Sequence, residues 1–185
     1  MEEGFDKQVL MSRSGGLSRE DFVFFWSGKP SRRGVSQTCL SQWYYASFEI
    51  DGVTYCCAEQ WMMAEKARIF GDAKTREEIL ASTDARTIKA LGRKVSGYNE
   101  SRWHAEREEV VYRGNLAKFG QNEELKQYLL STGDRILVEA TPYDRIWGIG
   151  MYESSSDAIV PAKWRGSNLL GFALMRVRDA LRENI

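Results

Sequence analysis

A chain of 185 residues with 43% apolar and 28% charged side chains is long enough to bury its own core and reads as one globular domain. Its 26 basic and 26 acidic residues cancel to a formal net charge of zero, so there is no electrostatic case for tracking a nucleic-acid backbone. A nucleic-acid substrate would have to be recognised locally, through a modified base or an end. The polar start, MEEGFDKQVLMSRSGG, is neither a signal peptide nor a membrane span, and three cysteines with two adjacent do not suggest a disulfide framework. One histidine, His104, and no Cys-x-x-Cys spacing argue against zinc, so neither metal nor cofactor is expected. These features point to a reducing compartment, cytoplasm or nucleus, with no membrane partner.

Residues 1–20 carry no sustained apolar pattern and are expected to be disordered in part; residues 21–185 form the domain. Residues 22–26 are a short apolar run, predicted as a strand and stopped by the Ser27-Gly28-Lys29-Pro30 loop, where Lys29, Arg32 and Arg33 read as solvated charges. Residues 44–50 and 53–57 form a predicted strand pair hinged on Asp51-Gly52, a two-residue hairpin signal. Helices are predicted over 58–70 with Gly71 as the stop, 75–81, 84–91 ended by Gly92, 102–118, and 123–132 with Asn122 as its cap and Gly133 as its end. Residues 135–140 read as a strand, and a last helix spans 169–182. Without repeats or a linker, the pattern is α+β: a helix-dominated single domain with a few short strands.

The segment AEQWMMAEKARIF (58–70) carries the most chemical information. At about 100° per residue, one face collects Ile69, Met62, Lys66, Glu59, Phe70 and Met63. The other holds Gln60, Ala64, Glu65, Ala67 and Arg68, with Trp61 as its one large apolar member. Glu59 and Lys66 thus sit two turns apart inside an apolar stripe, where charges are rare without a partner or a task. A structural ion pair, side chains snorkelling to a rim, and working groups remain equally open.

In TPYDRIWGIG (141–150), Pro142, Gly148 and Gly150 imply tight turns after a strand, and Asp144 and Trp147 read first as a surface turn with a packed tryptophan. Trp103 reads as core, His104 as a hydrogen-bonded structural residue, and Asn168 as a cap for the last helix.

Taken together, these segments resemble the NADAR (YbiA-like) family. The matching pieces are FFW (24–26), SQWY (41–44), F-x-I-D-G-V-x-Y (48–55), AEQWMMAEKARIFGD (58–72), LGR-x-V (91–95), Trp103, GN-x-x-KF-x-QN (114–122), LVEATPYDRIWGIG (137–150) and W-x-G-x-NLLG-x-x-LM-x-VR (164–178). The resemblance runs from about residue 21 to 182. It implies N-glycosidase activity on ribosyl compounds. One branch of the family is directed at riboflavin-biosynthesis intermediates; another removes ADP-ribose from guanine in nucleic acid, in bacteria as antitoxin to an ADP-ribosyltransferase toxin. By position, the resemblance implies Glu59 as the functional carboxylate, Lys66 as the family's lysine, and Trp103, Asp144 and Trp147 as pocket residues. Trp26, Ser41, Trp43, Gly148 and Asn168 complete the substrate-binding set, with Asp144 counted among the catalytic groups.

The chain departs from the riboflavin-type pattern at Gln60, which replaces a histidine, and at Ser41-Gln42-Trp43, which replaces S-N-F. The stretch from Gly150 to Trp164 is longer, and Ile149 replaces a more polar residue. These departures favour the ADP-ribosyl-guanine branch, with an ADP-ribosylated guanine nucleotide or nucleic acid as substrate. A carboxylate can stabilise the developing cation or move protons. An uncharged Lys66 can instead exchange into a ring-opened ribose as a Schiff base, where burial and a nearby Glu59 pull its pKa in opposite directions. The rival readings are a riboflavin-pathway N-glycosidase and a non-catalytic ADP-ribose reader.

Overall fold

A computed structural model of the chain describes residues 7–12, 16–27 and 34–183. The basic run at 29–33 lies outside them. The described residues form α1 (Lys7–Ser12), β1 (Phe22–Phe25), β2 (Phe48–Ile50), β3 (Val53–Tyr55), α2 (Ala58–Ile69), α3 (Ala73–Ala81), α4 (Ala85–Gly92), α5 (Glu100–Gln121), α6 (Glu123–Ser131), β4 (Ile136–Glu139) and α7 (Leu169–Glu183), with short 3-10 turns between some of them. This is the helix-dominated α+β fold expected. No described helix is long and apolar enough to cross a membrane.

The chain divides into two compact units, one made of Met1–Ser41 with Glu124–Ile185 and the other of Gln42–Glu123. No linker marks the division. The chain leaves the first unit just after the 3-10 turn Gln37–Leu40 and returns at the start of α6, so neither crossing has a composition of its own.

The Gln42–Glu123 unit is built around α2. The β2–β3 hairpin pairs Ile50 with Val53, leaving the two-residue turn that the Asp-Gly signal predicts. Positive φ at both Asp51 (53°) and Gly52 (76°) gives the turn whose twist suits antiparallel strands. The strands are shorter than predicted. Helix α2 stops at Gly71, whose φ of 74° suits a left-handed C-terminal position. Asp72, Asp84 and Asn99 cap α3, α4 and α5 by accepting the backbone N–H of Thr75, Thr87 and Arg102.

The two-faced reading of α2 needs correction. Gln60, Trp61, Ala64, Glu65 and Ala67 are buried as well as the apolar stripe, because α3, α4, α5 and β3 surround the helix. Trp61 packs where Gly114 leaves room, and its Nε1–H donates to the Val110 carbonyl at 2.7 Å. A methyl group on Gly114 would lie 2.2 Å from Trp61 Cδ1. Gly114→Ala is therefore expected to lose about 1–3 kcal/mol in denaturant unfolding, because overpacking outweighs the helix-propensity gain.

In the other unit, β1 and β4 pair in parallel, Phe22 with Ile136 through Phe25 with Glu139. Helix α7 packs on β4 so closely that a Cβ on Gly171 would lie 2.1 Å from the Leu137 carbonyl oxygen. Within the first twenty residues, α1 forms and buries Leu10. Asn122, between α5 and α6, is the C-cap of α5, and its side chain donates to the Ser47 and Lys118 carbonyls.

Candidate functional site

In the Gln42–Glu123 unit, Glu59 sits in the first turn of α2, only 3% exposed, where the helix dipole favours a carboxylate. Its backbone N–H donates to the Gln42 carbonyl at 2.9 Å. Lys66 follows two turns later, about 10 Å along the axis. Its ammonium donates to the Gly92 carbonyl at 2.9 Å and lies over the rings of Tyr98 (4.4 Å) and Trp103 (5.8 Å). Phe70 meets Tyr98 edge-on, so it buttresses one of the two rings beside the cation. Lys66 makes no ion pair with Glu59, which removes the structural-pair reading for these two residues. Burial pushes the Lys66 ammonium below the ordinary lysine value, and no carboxylate offsets that fall.

Beside Glu59 lies a polar layer that the sequence reading missed. Asn115 is wholly buried on α5 and donates to Gln42 Oε1 and to the Val111 carbonyl, each at 2.9 Å. One turn on, Lys118 is wholly buried, with its ammonium 5.7 Å from the Tyr44 ring centre and 5.0 Å from that of Phe119. The available signal was two polar residues on the α5 face that carries Val111 and Phe119. Trp43, half-buried, lies under the Lys89 ammonium at 5.3 Å.

Gln60 is structural. Its Oε1 accepts from the Cys56 N–H at 2.7 Å, and its Nε2 donates to the Ile79, Leu80 and Ser82 carbonyls, tying α2 to the end of α3. His104 is exposed rather than held in a buried hydrogen-bonded setting. The three cysteines are free thiols, and the Cys56 thiol is lowered to about 7 by its contact with Cys57 at 3.9 Å.

In the other unit, Asp144 organises its own loop. Its Oδ1 accepts the N–H groups of Ile146 and Trp147, both at 2.8 Å, an Asx turn that leaves Oδ2 for other partners. The carbonyls of Ile146, Trp147 and Gly148 accept from Leu169, Leu170 and Asn168, so this loop caps α7. Gly148 is required there: a Cβ would lie 2.7 Å from the Glu139 carbonyl oxygen. Asn168 is wholly buried with φ of 54°. It stands at the start of α7, but its side chain does not cap. Oδ1 accepts from Glu139 N–H at 3.0 Å and Nδ2 donates to the Leu137 carbonyl at 2.9 Å, pairing with β4 as a strand would. Ser41 is buried at the end of its 3-10 turn. Trp26 is 46% exposed and meets Tyr143 and Tyr152, themselves exposed, at ring distances of 5.9 and 6.0 Å.

The model of the NADAR domain matches residues 24–182. The chain belongs to the NADAR family. A mimivirus protein named N-glycosidase R617, from Acanthamoeba polyphaga mimivirus, is 38% identical over 168 residues, covering 88% of this chain and 98% of its own. The solved NMR structure of YbiA from E. coli superposes with a TM-score of 0.72 at 28% identity, covering 91% of this NADAR chain and 89% of YbiA. A Vibrio vulnificus protein named riboflavin biosynthesis protein VVA0006 is 31% identical over 145 residues, 78% of this chain but 36% of its own length. The family match spans both units, so the motif residues named above fall in the matched stretch whichever unit carries them.

Proposed function

We propose that this NADAR protein is an N-glycosidase that hydrolyses the bond between guanine and ADP-ribose in ADP-ribosylated guanine nucleotides or nucleic acid. The observation that carries the reading is Lys66. An amine whose pKa is lowered by burial, set against the rings of Tyr98 and Trp103, shares its helix with a buried carboxylate it does not pair with. Such a lysine suits covalent work better than structural pairing. An ADP-ribosyltransferase that installs the modification is the counterpart this reading implies.

For an exocyclic guanine amine, the reaction opens with cleavage of the ribose C1–O4 bond. The glycosidic nitrogen gives up its proton, O4 receives one, and a C1=N imine forms. Glu59 carries this proton. Neutral Lys66 then adds to C1, guanine leaves as its free amine, and a lysine imine replaces the first. Water adds to C1, Lys66 departs as the amine, and the aldehyde recloses to ADP-ribose. The rings of Tyr98 and Trp103 beside Lys66 suit stacking on base or sugar.

The name borne by VVA0006 supports a second reading, the same bond cleavage on a riboflavin-pathway intermediate. Of the departures that favour guanine, Gln60 loses weight, because its side chain is spent on the end of α3. The two readings separate when one preparation is offered both substrates. Release of ADP-ribose from a modified guanine oligonucleotide, with the riboflavin intermediate left intact, supports the proposal; the reverse preference overturns it. Tight binding of unchanged ADP-ribosyl guanine after long incubation would instead identify a reader.

A further inference from the structure

The Gln42–Glu123 unit holds an open cavity of about 380 Å³ on the face of α2 opposite Glu59 and Lys66. Trp61, Glu65 and Arg68 line it from one face of α2, Arg76 enters from α3, Arg113 from α5, and Asp51 from the hairpin turn. Three guanidiniums meet two carboxylates there, and neither carboxylate satisfies the set. Both oxygens of Glu65 accept from Arg68 Nε, at 2.9 and 3.0 Å, while the Arg68 side chain stays 56% exposed. Asp51, its side chain 85% exposed, stands 3.7 Å from Arg113, beyond a hydrogen bond and in reach of solvent screening. Arg113 is held over the Trp61 ring at 5.6 Å instead. Arg76 has no carboxylate partner among the described residues; its guanidinium meets the Tyr55 hydroxyl, and its Nε is buried without a hydrogen-bond acceptor.

A buried guanidinium donor without an acceptor calls for one, and convergent guanidinium forks match phosphoryl oxygens in geometry as well as charge. We infer that this cavity is a phosphate-binding site, holding a phosphomonoester or phosphodiester group on Arg76 and Arg113 with Arg68 at its rim. The placement separates it from the reacting residues: Trp61, Glu65 and Arg68 lie roughly 180° around α2 from Glu59, Phe70 and Lys66. The inference stands apart from the proposed reaction, since its test reads binding and not turnover.

Calorimetric titration of the full chain with inorganic phosphate is the direct test. Saturable binding is expected, weakened about ten-fold or more in Arg76→Gln and in Arg113→Gln, each of which removes a charged donor. Asp51→Asn should instead tighten binding about two- to three-fold, because it removes the competing carboxylate while asparagine tolerates the positive φ of that turn. A gain of affinity from a turn residue is not produced by a loss of folding. Competition by 5′-AMP and by a short oligonucleotide then assigns the phosphate to a free nucleotide or a strand; if neither competes, inorganic phosphate is the ligand. No saturable phosphate binding to the wild-type chain, or binding that all three variants leave unchanged, overturns the inference.

Discussion

Replacing Glu59 by glutamine is expected to lower turnover about a thousand-fold while the chain still unfolds cooperatively, since a positioned proton carrier contributes about that factor. The shape of the side chain is kept, so the backbone bond from Glu59 N–H to the Gln42 carbonyl and the packing of the first turn of α2 persist. What is lost is the carboxylate to which the proposed route gives the proton transfer from the glycosidic nitrogen to O4. The comparison that isolates this role is kcat against KM under single-substrate conditions. A loss confined to kcat marks a step made in the transition state, whereas a loss confined to KM would make Glu59 a binding residue only. Full activity in the glutamine variant would remove Glu59 from the chemistry.

The second large effect belongs to Lys66. Lys66→Met should lose about four orders of magnitude, and Lys66→Arg nearly as much, because arginine keeps the charge but cannot act as an amine nucleophile. A purely electrostatic lysine would tolerate arginine, so the pair of variants separates the two roles. The pH profile carries the same information. On the proposed route the attacking form is the neutral amine, so kcat should rise with pH and level off as Lys66 loses its proton. Burial lowers that pKa, placing the rising limb below the ordinary lysine value of about 10.4. The Lys66 amine rests on the Gly92 carbonyl and the Tyr98 ring, and on the proposed route substrate would enter against those contacts.

Much of the local structure was legible because it is written in short-range chemistry. The Asp-Gly hairpin and the glycine stops of α2 and α6 follow from residue type alone. The parallel pairing of β1 with β4 was not legible, since more than a hundred residues separate partners that carry no mutual mark. Periodicity found that Glu59 and Lys66 share a face, but it could not decide between an ion pair and a task. The partners that hold Lys66 in place of Glu59 are Gly92, Tyr98 and Trp103, which reach it only once α4 and α5 are in place. Lys118 and Asn115 escaped notice because a lysine in a long, highly charged helix looks solvated until its face is packed. Asn168 sits where a capping residue belongs, yet its amide mimics a strand edge for β4. The division into two units was hidden for a related reason: the chain changes unit at an ordinary turn and at the start of a helix.

The central claim is that Lys66 becomes covalently linked to ribose C1 during turnover. Incubating the chain with ADP-ribosylated guanine in the presence of cyanoborohydride, then locating any added mass by peptide mapping, tests it most directly. The account predicts an ADP-ribose adduct reduced onto the peptide containing Lys66, absent from Lys66→Met and absent without substrate. Steady release of ADP-ribose with Lys66 unmodified throughout would contradict it.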